Sequence, residues 1–167
     1  TCFERIKRVP AASVLSVGLS SKHITEYWTP DAGARLALAS DEECREAFQE
    51  VFFKAVNARL RSAFPVASML SGGLDSSAIV GTASHLMKAQ NRSLITLSSV
   101  PEPESAANVT DEREYIDLFS DFENLDMHEV CAPGCGPFDK LSELVESGSL
   151  CSYSFQHYLY SAFIRAA

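Results

Sequence analysis

No apolar run in this sequence approaches the roughly 20 residues that a membrane span needs, and its opening, TCFERIKRVP, lacks the apolar stretch of a secretory signal. The expectation is a cytoplasmic protein without a membrane partner. A basic excess is missing too. Asp and Glu outnumber Lys and Arg 22 to 14, for a formal net charge of −8. Proteins that track a phosphate backbone neutralise it with a basic face, so nucleic acid is not an expected partner. Cysteines are few and odd in number, five in all, at positions 2, 44, 131, 135 and 151. They do not read as a disulfide framework, and the close pair Cys131 and Cys135 has no second close pair to complete a zinc set. Reduced thiols, buried or incidental, are the reading.

What is present fits one globular domain, or one domain and part of another. The chain has 167 residues, 46% of them hydrophobic and 22% charged, which is ordinary for a packed core. Two short β-prone runs, SVLSV and ITEYW, flank GLSSK and suggest a hairpin with a longer loop. TPDAG breaks the pattern, which places a boundary between an end piece, residues 1–30, and the main domain, residues 31–167. Ser40 and Glu43 form a capping-box pattern. Cys44, Ala47, Phe48, Val51, Phe52 and Ala55 then recur at helical spacing as one apolar stripe.

From Pro65 the chain alternates. VASML is a strand, Ser76 to Ala89 a helix with Ile79, Val80, Ala83, Leu86 and Met87 on one face, and SLITLSS a second strand. A helix from Asp111 is expected to bury Tyr115, Ile116, Phe119 and Phe122, and DMHEVC is a third strand. Strands alternating with helices imply a parallel sheet joined by crossovers. PFDKLSELVES is expected to be a short helix, and Phe155, Tyr158, Leu159, Ala162 and Phe163 another apolar stripe. That last helix meets no stop signal before Ala167, so a truncated chain is expected.

The segment SMLSGGLDSS, Ser68 to Ser77, carries the chemistry. In a parallel sheet, ligands sit beyond the carboxyl ends of the strands, and Ser71 to Ser77 lie there. Gly72 and Gly73 let the backbone turn and approach a ligand. Ser76 and Ser77 open a helix whose free amides favour an anion, and Ser71, Ser76 and Ser77 add hydroxyls. Such a loop suits phosphate. Asp75 repels phosphate unless Mg²⁺ lies between them, or it caps the following helix. A structural Gly-Gly turn is the plain alternative. The Walker lysine, the G-x-G-x-x-G fingerprint and the G-x-S-x-G elbow are all absent.

SGGLDSS resembles the pyrophosphatase loop of the adenine-nucleotide α-hydrolase-like enzymes, and the wider sequence resembles the asparagine synthase family within them. RVPAASVLSV and YWTPD look like the last strands of that family's glutaminase domain and its exit. PVASMLSGGLDSS, SLITLSSV, DEREYIDLFSD and DMHEV continue the likeness. The resemblance implies an α/β fold, a Rossmann-like parallel sheet with flanking helices, truncated and preceded by a short β-hairpin. It also implies ATP-dependent activation of a carboxylate, aspartate in the first instance, with pyrophosphate released. Ammonia or an amine then displaces AMP from the acyl-adenylate. Carried over, Ser71, Gly72, Gly73, Ser76 and Ser77 would cradle pyrophosphate, Asp75 would bind Mg²⁺, and backbone near Leu70 and Ser98 would contact adenine.

The likeness has gaps. The family's glutaminase nucleophile stands in a Cys-Gly-Ile context, whereas Cys2 precedes Phe3 and Glu4, so Cys2 is read as non-catalytic. A later Gly-Gly-Asp-Glu type segment with further metal contacts has no match. The expected partners therefore include a glutaminase domain and a C-terminal region missing here. VASML, if left as a sheet edge, is an association hazard. His23, His85, His128 and His157 read as structural or exposed, and the acidic residues from Glu102 to Asp117 as a solvated loop and helix start. Relatives that close β-lactam rings or cyclise peptides, and a non-catalytic nucleotide-binding module, remain alternatives.

Overall fold

A computed structural model describes residues 4–102, 110–139, 142, 146 and 156–166. Strands β1 (Ser13–Val17) and β2 (Lys22–Glu26) form an antiparallel hairpin, with Ser13 opposite Glu26 and Val17 opposite Lys22. The tight connection is closed by the Gly18 N–H donating to Ser21 O at 2.9 Å. A Cβ at Gly18 would stand 2.9 Å from Ser21 Oγ, an exposed hydroxyl that can rotate away. β2 lies two residues earlier than ITEYW suggests, so Tyr27 and Trp28 follow the strand. No residue of either strand is buried.

Helix α1 (Asp41–Arg59) starts as its sequence predicts. The Glu43 N–H donates to the Ser40 Oγ at 3.2 Å, while the Glu43 carboxylate accepts from the Ala39 N–H at 2.7 Å, one residue before the usual capping-box partner. Asp41, Glu42 and Glu43 occupy the first turn, where the helix dipole favours them. The apolar stripe needs correction. Val56 is buried, Phe52 and Phe53 are half-buried, but Phe48 and Val51 are 69% and 65% exposed. Nineteen residues make a helix about 28 Å long, whereas strands of four to six residues span only about 13–20 Å. The sheet layer covers the C-terminal half of α1 and leaves the rest of the stripe outside.

Strand β3 (Val66–Met69), helix α2 (Leu74–Lys88), strand β4 (Leu94–Ser99), the short helix α3 (Arg113–Ile116), strand β5 (Leu125–Val130) and helix α4 (His157–Ala166) follow. The three strands are parallel in the order β3-β4-β5, with Val66 beside Leu94 and Leu94 beside Leu125. On one face Leu94 packs with Val56, Leu60, Val80, Ala83, Met87 and Ile116. On the other, Leu97 packs with Val130, Ala162 and Phe163 of α4. The molecule is therefore α/β, with helices on both faces of a sheet whose central strand is the most buried.

Two further expectations change. α3 has only four residues and passes into a 3-10 turn, Asp117–Phe119. Ile116 is buried and Phe119 half-buried, but Tyr115 is 50% exposed and Phe122 39%. The chain must leave the helix early to enter β5 at Leu125. Beyond β5, residues 137–139 form a turn. The rest of the helix expected at PFDKLSELVES, apart from residues 142 and 146, lies outside the described residues, as do Phe155, Cys2 and Cys151.

At the amino ends of the strands, a side-chain network staples the layers. Ser84 Oγ donates to Asn124 Oδ1 at 2.7 Å, and Asn124 Nδ2 donates to Ser84 O at 2.9 Å and Arg92 O at 3.4 Å. The Arg92 guanidinium donates to Leu60 O at 3.2 Å. Ser84 is buried and fully bonded, as a buried hydroxyl requires.

Candidate functional site

The opposite, carboxyl end of the sheet holds the glycine–serine loop. Leu70 is 1% exposed, and its N–H continues the ladder to Leu97 O at 3.0 Å. This fixes the exit from β3, so the chain must turn at once into α2. Gly73 is the N-cap residue of α2, with φ −77° and ψ 152°, and no side chain caps the helix. The reading of Asp75 as a cap is thereby corrected: Asp75 lies within the first turn, too far along to serve as N-cap. The helix also starts two residues before Ser76.

Gly72 is required by space. A Cβ there would stand 2.9 Å from Tyr115 Cδ2 and 3.0 Å from Glu112 Cβ. At Gly73 the nearest atom would be Ser71 Oγ at 3.4 Å, an ordinary contact. The first glycine thus lets the loop lie against α3, and the second ends the turn.

Ser76 braces the loop from inside. Its Oγ lies 2.9 Å from Ser71 O and 3.1 Å from Gly73 O, accepts from the Ser71 N–H at 3.1 Å, and meets Ser71 Oγ at 2.8 Å. The Gly73 N–H reaches Ser71 Oγ at 3.4 Å. The Gly72 N–H points elsewhere, to Glu112 Oε2 at 3.2 Å. An acidic side chain forty residues away therefore rests on a loop amide.

Sequence reasoning did not single out Glu112, and it read the acidic run as solvated. Among the described residues of that run, Glu102, Asp111 and Glu112 are half-buried. Arg113 fixes this segment: its guanidinium bonds Asp111 Oδ2 at 2.6 Å, Glu129 Oε2 at 3.1 Å and Pro101 O at 3.0 Å. The Arg113 backbone N–H, and after it the guanidinium, hold the Asp111 carboxyl below the usual carboxylate range, against some desolvation. The only signal for this was DEREY itself, where one arginine set among three acids suits a pinned turn as well as a solvated helix start.

Two cavities open at this end of the sheet, and Glu112 lines both. One, about 280 Å³, is bounded by Leu70, Ser71, Ser99 and, from α4, Tyr160 and Phe163. The other, about 530 Å³, includes Ser99, Glu102, Thr110 and Tyr158. Ser98, 2% exposed, lies beneath them in β4. Asp75 does not join this group. Its exposed carboxylate lines a separate groove beside Arg45, Phe48 and Gln49 of α1, and it forms no ion pair or hydrogen bond among the described residues. The structure thus brings together Leu70, Ser71, Gly72, Gly73 and Ser76, with Ser77 one residue further along the helix, and leaves Asp75 on the other side of it.

No group of three or more His, Cys, Asp or Glu suited to a metal ion occurs among the described residues. Cys131 is exposed and Cys135 half-buried, on either side of a turn where Gly134 has φ +62°. His128 Nε2 lies 3.0 Å from Asp126 Oδ1 on the surface of β5. No helix among the described residues is long and apolar enough to cross a membrane.

Comparison with known proteins agrees with this architecture. A stretch of 65 residues is 45% identical to a Gibberella zeae protein named Amidase chry2; it covers 37% of this chain and 10% of that protein, so the match spans about a tenth of the relative. A family model described as asparagine synthase matches residues 47–164, from α1 through α4 and so across the whole parallel sheet and its loop. The chain belongs to the asparagine synthase family, a family of ATP-utilising, amide-forming ligases.

Proposed function

We propose that this chain holds the ATP of an amide-forming ligase that adenylates a carboxylate, aspartate being the first candidate, and releases pyrophosphate. Ammonia or an amine would then take the acyl group and free AMP. The observation that carries this reading is the SGGLDSS loop, placed at the carboxyl end of a parallel strand and opening a 15-residue helix without a side-chain cap. Such a terminus presents N–H groups and the positive end of the helix dipole to an anion. Ser71, Gly72, Gly73, Ser76 and Ser77 would cradle pyrophosphate, and backbone near Leu70 and Ser98 would meet adenine.

The donor chemistry fits Mg²⁺ in a limited way. Asp75 is an oxygen donor in the first turn with no partner among the described residues, and Mg²⁺ is commonly held by one or two carboxylates plus phosphate oxygens. When bound, the ion would supply positive charge against the departing pyrophosphate. Asp75 must first turn from the α1 groove towards the loop, a side-chain rotation open to an exposed residue.

Isothermal titration of Mg·ATP and Mg·pyrophosphate into the chain and Asp75→Ala tests this. Binding to the wild type, weakened about tenfold or more in the variant, is expected for loss of a charged ligand. Binding that survives unchanged removes Asp75 from metal duty, and no binding to the wild type overturns the ATP reading. The reading includes two corollaries for this chain by itself. It lacks synthetase turnover, and it self-associates along the outer edge of β3, which has no neighbour among the described residues. ATP–pyrophosphate exchange by a monomeric chain would sink both.

A further inference from the structure

We propose that Glu112 is a built-in occupant of the phosphate cradle and makes nucleotide binding conditional on a divalent cation. The inference rests on the ATP reading of the loop and adds a residue to it. The Gly72 N–H, an amide that a phosphate oxygen would take, donates instead to Glu112 Oε2 at 3.2 Å. A carboxylate and a phosphate oxygen compete for the same donor, so the loop is already satisfied by an internal anion.

Glu112 is held there from two sides. Its Cβ packs so near Gly72 that a methyl group on that glycine would meet it at 3.0 Å. Its neighbour Arg113 is tied to Asp111, Glu129 and the Pro101 carbonyl, which fixes the segment against the carboxyl ends of β4 and β5. The backbone has little freedom to withdraw, so the carboxylate stays close when a ligand arrives. Glu112 also borders both cavities at this end of the sheet, where a nucleotide resting on the loop would extend.

Two consequences follow from charge. A polyphosphate without a cation must displace Glu112 and then sit beside it, against a repulsion that a half-buried site screens poorly. With Mg²⁺, the carboxylate and a phosphate oxygen can share the cation, and the repulsion becomes attraction. Wild-type affinity should therefore depend steeply on Mg²⁺, and Glu112 should set that steepness.

The test uses the whole chain, with inorganic pyrophosphate as the probe, titrated in Mg²⁺ and in EDTA. Glu112→Gln keeps the shape and an acceptor for the Gly72 N–H but removes the charge. Glu112→Ala frees the amide as well, and circular dichroism checks that both variants fold. Cation-free pyrophosphate is expected to bind Glu112→Gln about tenfold more tightly than wild type. The ratio of cation-free to Mg²⁺ dissociation constants should shrink in both variants. Equal cation-free affinity in wild type and both variants, with Mg·pyrophosphate still bound by all, overturns the role of Glu112 and leaves the ATP reading standing. Weaker cation-free binding in Glu112→Gln overturns it as well. No binding by any form overturns the ATP reading and this inference with it.

Discussion

The hairpin at residues 13–26 and the sheet at residues 66–130 are written in the same β-prone residues, yet only the sheet has an inside. Val17 and Ile24 of the hairpin are 72% and 45% exposed, whereas Leu94 and Leu97 of β4 are 0% and 5% exposed. Register is equally regular in both. The difference lies in the second layer: α2 and α4 close over the two faces of β4, and nothing among the described residues buries a face of the hairpin. Val, Ile and Leu in alternation are enough to draw a strand, but burial of each side chain, worth about 1.5–3 kcal/mol, needs an opposing surface. A two-stranded hairpin without one is marginal in water.

The sharpest way to break this comparison is Leu94→Ala. Leu94 sits at the start of the central strand and packs against α1, α2 and α3. Removing it leaves a cavity in a three-sided contact, for an expected loss of about 2–5 kcal/mol. Urea denaturation followed by circular dichroism would measure it, and a loss below about 1 kcal/mol would mean the sheet has no more of a core than the hairpin. Next in size is the paired substitution in the loop. Gly72→Ala forces a methyl group into Tyr115 and Glu112 and should cost about 1–3 kcal/mol. Gly73→Ala meets nothing closer than 3.4 Å and keeps an allowed φ, so it should cost about 1 kcal/mol or less, the loss of a good N-cap residue. Equal costs would show that the loop does not lie against α3 as described.

The same contrast explains what could be read from the sequence. Strand–helix alternation, the parallel sheet it implies and the loop position were legible because each depends on neighbours in the chain: period, prolines, glycines and a cap. The Ser40 cap was read correctly for that reason. The α1 stripe was not, because helical period says which residues share a face and not how much of that face a short sheet covers. Phe48 and Val51 share a face with Phe52 and still end outside. Glu112 was illegible for a stronger reason. Its partner Gly72 is forty residues away, and the contact exists only once the crossover after β4 brings α3 to the end of β3. Ser71, Gly72 and Gly73 were legible as a loop, but what rests on the loop was not.

The smallest expected effect sharpens the comparison from the other side. Val17→Thr keeps β-branching and changes only the hydrophobicity of a side chain that is already mostly in water. Surface substitutions of this kind fall within about ±0.5 kcal/mol, so the urea midpoint should not move measurably. Amide hydrogen exchange adds a second readout on the wild-type chain. Hairpin amides should exchange through cheap local opening, while the amides of β4, bonded on both sides and packed on both faces, should require an opening close to global unfolding. If Val17→Thr destabilised the chain by more than about 1 kcal/mol, or if β1 amides were protected as well as those of β4, the hairpin would have a buried face after all. The contrast between the two regions would then be one of which surface covers them, and no longer one of core against no core.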